Sequence, residues 1–282
     1  MIITEENKYY TCKYDRPFKE IMLNKKNEDI LKILLKKILK VDIKEIVYGN
    51  VEQNTGNIKI RRKYYDVLLK TDKGEIEIEL NAESVDYVHP RNTAYISSLY
   101  ASHTLVGENY TEDTNIIQVN LSYGLNDIKD MRVYKLQDDE GKEFVKNLIV
   151  VEVNMDFYEK IWYDKDELGI EENKYLIMLN RNYEEQEEFK KYIKDKKVVR
   201  YMEQLNKLNE SPIFREYMTY EEDQRKIFNS RMKEATEKGL EQGLEQGKIE
   251  IARNLLNMHM SVEDISKATD LSITQVEELI NK

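Results

Sequence analysis

Cysteine is almost missing from this chain. Cys12 is the single one in 282 residues, so no internal disulfide framework holds the fold. Proline (3) and glycine (10) are also scarce, which argues against long flexible linkers. The three histidines, His89, His103 and His259, are too scattered to read as a zinc site. No glycine-rich loop is present to cradle phosphates, so nucleotide hydrolysis finds no support. No run of about 18 apolar residues occurs, and the N-terminus has no apolar stretch of signal-peptide type. The simplest expectation is a soluble cytoplasmic protein with no membrane partner.

What is present is charge. Charged residues make up 35% of the chain and hydrophobic ones 40%, polar for a globular protein but sufficient for a core. The net charge of −10 argues against a surface that is basic throughout. The distribution is uneven. Residues 1–70 hold 16 Lys/Arg and 10 Asp/Glu, a balance of +6, which leaves −16 for the rest. Basic groups cluster at Lys25-Lys26, at Lys36-Lys37 with Lys40, and at Arg61-Arg62-Lys63. The last cluster leads into a strand carrying Asp66, where it could approach phosphate; a solvated helix face and a charged strand edge explain such clusters equally well.

The segment Tyr64–Lys70 predicts a strand, Thr71-Asp72-Lys73-Gly74 a turn whose glycine suits φ > 0, and Glu75–Asn81 the returning strand. Pairing Lys70 with Glu75 sets Asp66 opposite Glu79. Opposed residues of an antiparallel pair have Cβ atoms roughly 4.5–5.5 Å apart. Two carboxylates that close repel unless a cation offsets them, and Mg²⁺ takes such oxygen ligands. Alternation of Glu75, Glu77 and Glu79 with Ile76, Ile78 and Leu80 also describes a half-buried strand with a solvated acidic face.

Around this hairpin the periodicity predicts an α/β core. Helices are expected over 13–23 and 28–40, then the hairpin over 60–81, a helix over 90–106, and strands at 115–121 and 148–153. Beyond about 156 the chain is expected to be mainly helical, with Trp162, Tyr163, Phe214 and Tyr217 docking helices onto the core. Glycines 239, 243 and 247 repeat every four residues and share one helix face, which suits either a self-association helix or a weak helical linker. Residues 260–280 predict two short helices, one capped by Ser261 with Asp264, the other by Ser272 with Gln275. The pair resembles a helix-turn-helix, but Glu277 and Glu278 on the second helix disfavour phosphate contact. The expected division is 1–160 for the core, 161–230 for a helical extension packed on it, and 231–282 for the glycine-striped helix and tail.

Together these features resemble the PD-(D/E)XK nuclease family transposases, also called recombination-promoting nucleases. Asp15-Arg16-Pro17-Phe18-Lys19 is similar to that family's Asp-x-x-Phe-Lys signature. Asp66 with Glu79-Leu80-Asn81 is similar to its Asp…Glu-x-Gln/Lys core, and Arg91-Asn92-Thr93-Ala94-Tyr95 to its Arg-x-x-x-Tyr helix. The glycine-striped helix and tail fit as well, so the likeness covers nearly the whole chain. It implies a restriction-endonuclease-like mixed sheet flanked by helices and a Mg²⁺-dependent (or Mn²⁺-dependent) DNA endonuclease linked to recombination or mobile elements. Asp66 and Glu79 would hold the metal. Asn81 departs from the usual Lys or Gln and brings no positive charge. Lys19 is therefore a candidate replacement cation, and Asp15, Glu20, Glu77 and Arg91 are candidate accessory groups. A homodimer joined through 231–282 would suit cutting of two strands. The alternative reading is a weak or inactive nuclease fold serving as a DNA- or protein-binding or regulatory module.

Overall fold

A computed structural model describes residues 8–49, 52–53, 63–82, 88–103, 114–125 and 127–280. The pair Arg61-Arg62 and residues 104–106 of the expected third helix lie outside them.

The chain opens with α1 (Asp15–Met22) and α2 (Glu28–Leu39). In α2, Ile30, Leu31, Leu34, Leu35 and Ile38 are buried, the stripe that 3.6-residue spacing sets on one face. Glu28 and Asp29 open it and Lys36 and Lys37 close it, complementing its dipole. Six strands then build one mixed sheet: β1 (Ile46–Tyr48), β4 (Val67–Thr71), β5 (Gly74–Asn81), β6 (Ile116–Ser122), β7 (Met131–Lys135) and β8 (Leu148–Asn154). The remaining strands, β2 (Glu52–Gln53) and β3 (Lys63–Tyr64), form a separate two-stranded ladder. The order in the large sheet is β1-β4-β5-β6-β8-β7. β5, β6 and β8 run parallel to one another in the centre, while β1, β4 and β7 are antiparallel to their neighbours.

The two faces of this sheet differ. Val67, Leu69, Ile76, Ile78, Ile117, Val119, Leu121, Val151 and Val153 point into the main core with α1 and α2. Burying each such side chain contributes roughly 1.5–3 kcal/mol. The other face carries Tyr65, Leu68 and Ile116 against Ile96 and Leu99 of α3 (Val88–Ser102). Next to that small apolar patch the same face turns polar. α3 begins two residues ahead of the expected 90, so Pro90 falls in its first turn, where the missing N–H costs nothing.

The remainder is helical: α4 (Met155–Tyr163), α5 (Glu167–Ile177), α6 (Tyr183–Tyr192), α7 (Lys196–Glu210) and α8 (Pro212–Asn257). Trp162 and Phe214 are buried as expected, whereas Tyr163 and Tyr217 are exposed, Tyr163 still lying 5.8 Å from the Arg181 guanidinium. Arg181 is fully buried, ion-paired to Glu159 and to Glu185 at 3.1 Å, with its guanidinium 5.2 Å from the Trp162 ring. The chain divides into two compact units at Phe214/Arg215. In the second, α9 (Val262–Thr269) and α10 (Ile273–Ile280) enclose a small core of Ala252, Ile265, Leu271 and Val276. The two caps form as predicted: Ser261 Oγ accepts from the Asp264 amide (3.2 Å), and Ser272 and Gln275 bond reciprocally at 3.2 and 2.8 Å.

Candidate active site

The hairpin register is the expected one. Lys70 pairs with Glu75, Leu69 with Ile76 and Val67 with Ile78, and Gly74 closes the turn at φ +126°. Asp66 is the residue just beyond this ladder. Its amide donates to Glu79 Oε1 at 3.3 Å, and the Leu80 amide donates to Asp66 Oδ2 at 2.8 Å. Local turn chemistry thus brings the two carboxylates together.

Strand alternation puts Glu75, Glu77, Glu79 and Asn81 on the α3 side of β5. The parallel register then extends a polar row across the sheet. Gln118 lies beside Glu77, Asn120 beside Glu79 and Ser122 beside Asn81, with Glu152 beyond Asn120. All of these are buried; Glu77 is 0% and Glu79 2% exposed. Gln118 Nε2 donates to Glu77 Oε2 at 2.7 Å and to the Asn92 carbonyl at 2.9 Å. Glu77 Oε1 is buried and has no hydrogen-bond partner among the described residues.

Two cations reach the row from opposite sides of the sheet. Lys19 of α1 lies 3.1 Å from Asp66 Oδ1 and 2.8 Å from Asp15 Oδ1. Arg91 of α3 donates to Asn81 Oδ1 at 2.7 Å and sits 3.5 Å from Glu79 Oε2. Arg91 also stands 5.9 Å over the Tyr95 ring one turn further along, which packs edge-on against Tyr65. The Asn81 amide is committed within the protein: Oδ1 accepts from Arg91 and weakly from Asn92 (3.5 Å), and Nδ2 donates to Ser122 Oγ at 3.0 Å. Ser122 continues the chain to Glu152 Oε1 at 3.3 Å, which also meets His89 Nε2 at 3.0 Å.

Burial dominates the electrostatics. It lifts the Asp66 carboxyl to about 6, with Asp15 adding to the rise and Lys19 opposing it. Burial likewise lifts Glu77 to about 7, against the hydrogen bond from Gln118. Glu79 rises furthest, because burial is reinforced by Asp66 and then by Glu77. For Lys19, burial works against the charge, but Asp66 and Asp15 outweigh it and raise its pKa. A set of buried carboxyls that resist ionisation is one that a bound cation would stabilise.

Of the sequence-predicted residues, Asp66, Glu77, Glu79, Asn81, Lys19, Asp15 and Arg91 converge here. Glu20 does not: it pairs with Arg16 at 2.6 Å on the exposed side of α1. Cys12 is fully buried, and burial pushes its thiol up to about 12, so it is chemically quiet. Gln118, Asn120, Ser122, Asn92 and Glu152 belong to the site and were not expected. A signal for three of them existed, since Gln118, Asn120 and Ser122 alternate with Ile117, Val119 and Leu121. Among the described residues, no three His, Cys, Asp or Glu side chains form a preassembled metal cluster.

A sequence profile for the PD-(D/E)XK nuclease family transposases matches residues 12–238. The chain belongs to this family. The match runs from ahead of α1 through the sheet and into α8, so it includes every residue of the polar row. The α/β sheet flanked by helices, followed by a long helical region, is the architecture of a PD-(D/E)XK nuclease. Comparison with curated proteins and with solved structures gives no significant match. No helix among the described residues is long and apolar enough to cross a membrane.

Proposed function

We propose that this PD-(D/E)XK transposase-family protein is a divalent-metal-dependent DNA endonuclease whose centre is Asp66 and Glu79. One observation carries the reading. Asp66, Glu77 and Glu79 are gathered on the α3 face of the central sheet, on and beside its interior strand β5, with their pKa values raised and with Glu77 Oε1 left unpartnered among the described residues. An arrangement this costly is expected where function requires it.

The donor set fits a hard cation, because it consists of carboxylate oxygens. Asp66 and Glu79 would hold the ion, and the free Glu77 oxygen is placed to assist. Bound Mg²⁺ or Mn²⁺ would polarise a scissile phosphate and acidify its attacking water. The remaining work falls to this chain's own cations. Asn81 cannot supply charge, and its amide serves instead to hold Arg91. Arg91 and Lys19 flank the carboxylates and would balance charge that develops on phosphate oxygens. Asp15 fixes Lys19 at 2.8 Å. A homodimer through residues 231–282 would present two such centres, one for each strand.

A second reading, a binding module without turnover, draws on the same ion pairs. Lys19 at Asp66 and Arg91 at Glu79 already offset part of the negative charge without a metal. Incubating supercoiled and single-stranded DNA with Mg²⁺ or Mn²⁺ separates the two. Nicking by the natural chain that disappears in Asp66→Ala supports the endonuclease. A folded natural chain that binds DNA but leaves it intact under both metals supports the module.

A further inference from the structure

The sequence changes sign abruptly within α6. Residues 155–189 carry 11 Asp/Glu and 4 Lys/Arg, whereas residues 190–200 carry six Lys/Arg and one Asp. A segment of +5 in eleven residues stands out in a chain of −10. In the fold it forms the end of α6, the connection and the start of α7, around an open cleft of about 410 Å³. Lys190, Lys194, Lys196 and Arg200 line this cleft over an apolar floor of Ile193 and Val199. Glu203 is the one carboxylate in its lining among the described residues.

Helix electrostatics accounts for only part of this charge. Lys190 and Lys191 close α6, where the negative end of the helix favours cations. Lys194 lies between the helices, while Lys196 and Lys197 occupy the first turn of α7, where the dipole disfavours them. Internal pairing accounts for another part: Lys190 bonds Glu187 at 2.6 Å, and Arg200 bonds Asp29. Among the described residues, no ion pair neutralises Lys194 or Lys196, and Arg200 Nε is buried without a hydrogen-bond partner. The cleft therefore gathers cations that neither the helix ends nor the neighbouring acids explain.

We propose that the α6–α7 cleft is an anion site for the phosphodiester backbone of nucleic acid, separate from the carboxylate centre. A protein of net −10 approaches DNA only through a local basic face, and lysines of this kind contact backbone phosphate without reading sequence. The inference rests on the DNA-directed reading above and adds a second point of attachment.

The test is binding of a fluorescent duplex of about 30 base pairs to the complete chain, with EDTA and again with Ca²⁺, over a range of salt. The variant is Lys194→Glu/Lys196→Glu. Circular dichroism checks that it folds, and a glutamate in the first turn of α7 suits that helix. The double variant is expected to bind about tenfold more weakly, and the slope of log K against log salt should shrink by roughly 1–2, about one for each phosphate no longer neutralised. Unchanged affinity and slope in the folded double variant would overturn the cleft and leave the nuclease reading standing. A natural chain that binds no duplex in either condition would overturn both. Direct binding of tripolyphosphate, lost in the double variant, by a natural chain that binds no duplex would mark a site for free polyphosphate and would likewise overturn the nucleic-acid assignment.

Discussion

Arg91 and Glu77 flank the proposed metal centre of Asp66 and Glu79. Arg91 holds Asn81 at 2.7 Å and reaches Glu79 at 3.5 Å, so it stands beside the motif position that lacks a cation. Arg91→Met is expected to lower cleavage by about 10²-fold, in the range that removal of one electrostatic stabiliser costs. The thermal shift on adding Mg²⁺ should persist, because the carboxylates stay. A rate within about threefold of the natural chain would remove Arg91 from the machinery. Glu77 is one of three buried carboxyls, with Asp66 and Glu79, that make stability depend on pH. The unfolded carboxyls of Asp66 and Glu77 ionise near 4, while burial holds the folded ones at about 6 and about 7. Between those values the folded state binds more protons, so metal-free stability falls as pH rises through that window, by up to roughly 6 kcal/mol for these two groups together. Glu77→Gln keeps the shape and removes one such group. Urea unfolding in EDTA should show this variant gaining about 1–2 kcal/mol on the natural chain between about pH 5 and pH 8. Parallel pH profiles for the two proteins would contradict this account of Glu77.

Among the elements, the β4–β5 hairpin was the most legible in sequence, and the reason is local. Asp72-Lys73-Gly74 fixes both the turn and the register, so the proximity of Asp66 and Glu79 follows from neighbours in the chain. The turn requires glycine on two counts: its φ is +126°, and an added Cβ would lie 2.2 Å from the Asn115 carbonyl oxygen. Gly74→Ala is expected to cost about 2–4 kcal/mol, measured by urea unfolding; a cost under about 0.5 kcal/mol would mean the turn relaxes freely. Helices α1 and α2 were legible too, from apolar spacing and end charges. The edge strands β1 and β7 were not. β1 is three residues long, and β7 exposes Val133 and Tyr134, so neither has the buried alternation that marks a strand. The polar row was only half visible. Glu77 and Gln118 meet across 41 residues through a parallel crossover, and no local pattern states which strands will be neighbours. Arg91 and Lys19 could be nominated by motif, but their meeting with Asn81 and Asp66 depends on α1 and α3 covering opposite faces of one sheet.

At the scale of the molecule, the chain divides at Phe214/Arg215, and this division can be cut. Every residue of the carboxylate row and both of its cations precede the boundary. Phe214, the last residue of the first unit, is buried with its ring edge-on to Tyr10, so a chain ending at Tyr220 keeps that packing. Beyond it, a Cβ added at Gly239, Gly243 or Gly247 would meet nothing within 4 Å, and Leu240 and Leu244 are exposed. Three glycines cost this helix roughly 1 kcal/mol each relative to alanine, a penalty that packing against a second helix would offset. The proposal of a dimer through residues 231–282 therefore makes a paired forecast. The shortened chain should melt within about 4 °C of the complete one, because a change below about 1 kcal/mol moves a domain of this size little. It should keep its thermal response to Mg²⁺, since the proposed ligands Asp66 and Glu79 precede the cut. By light scattering it should be monomeric where the complete chain is dimeric. A shortened chain that stays dimeric moves the interface into the first unit, and one that loses the Mg²⁺ response makes the tail part of the active site's support.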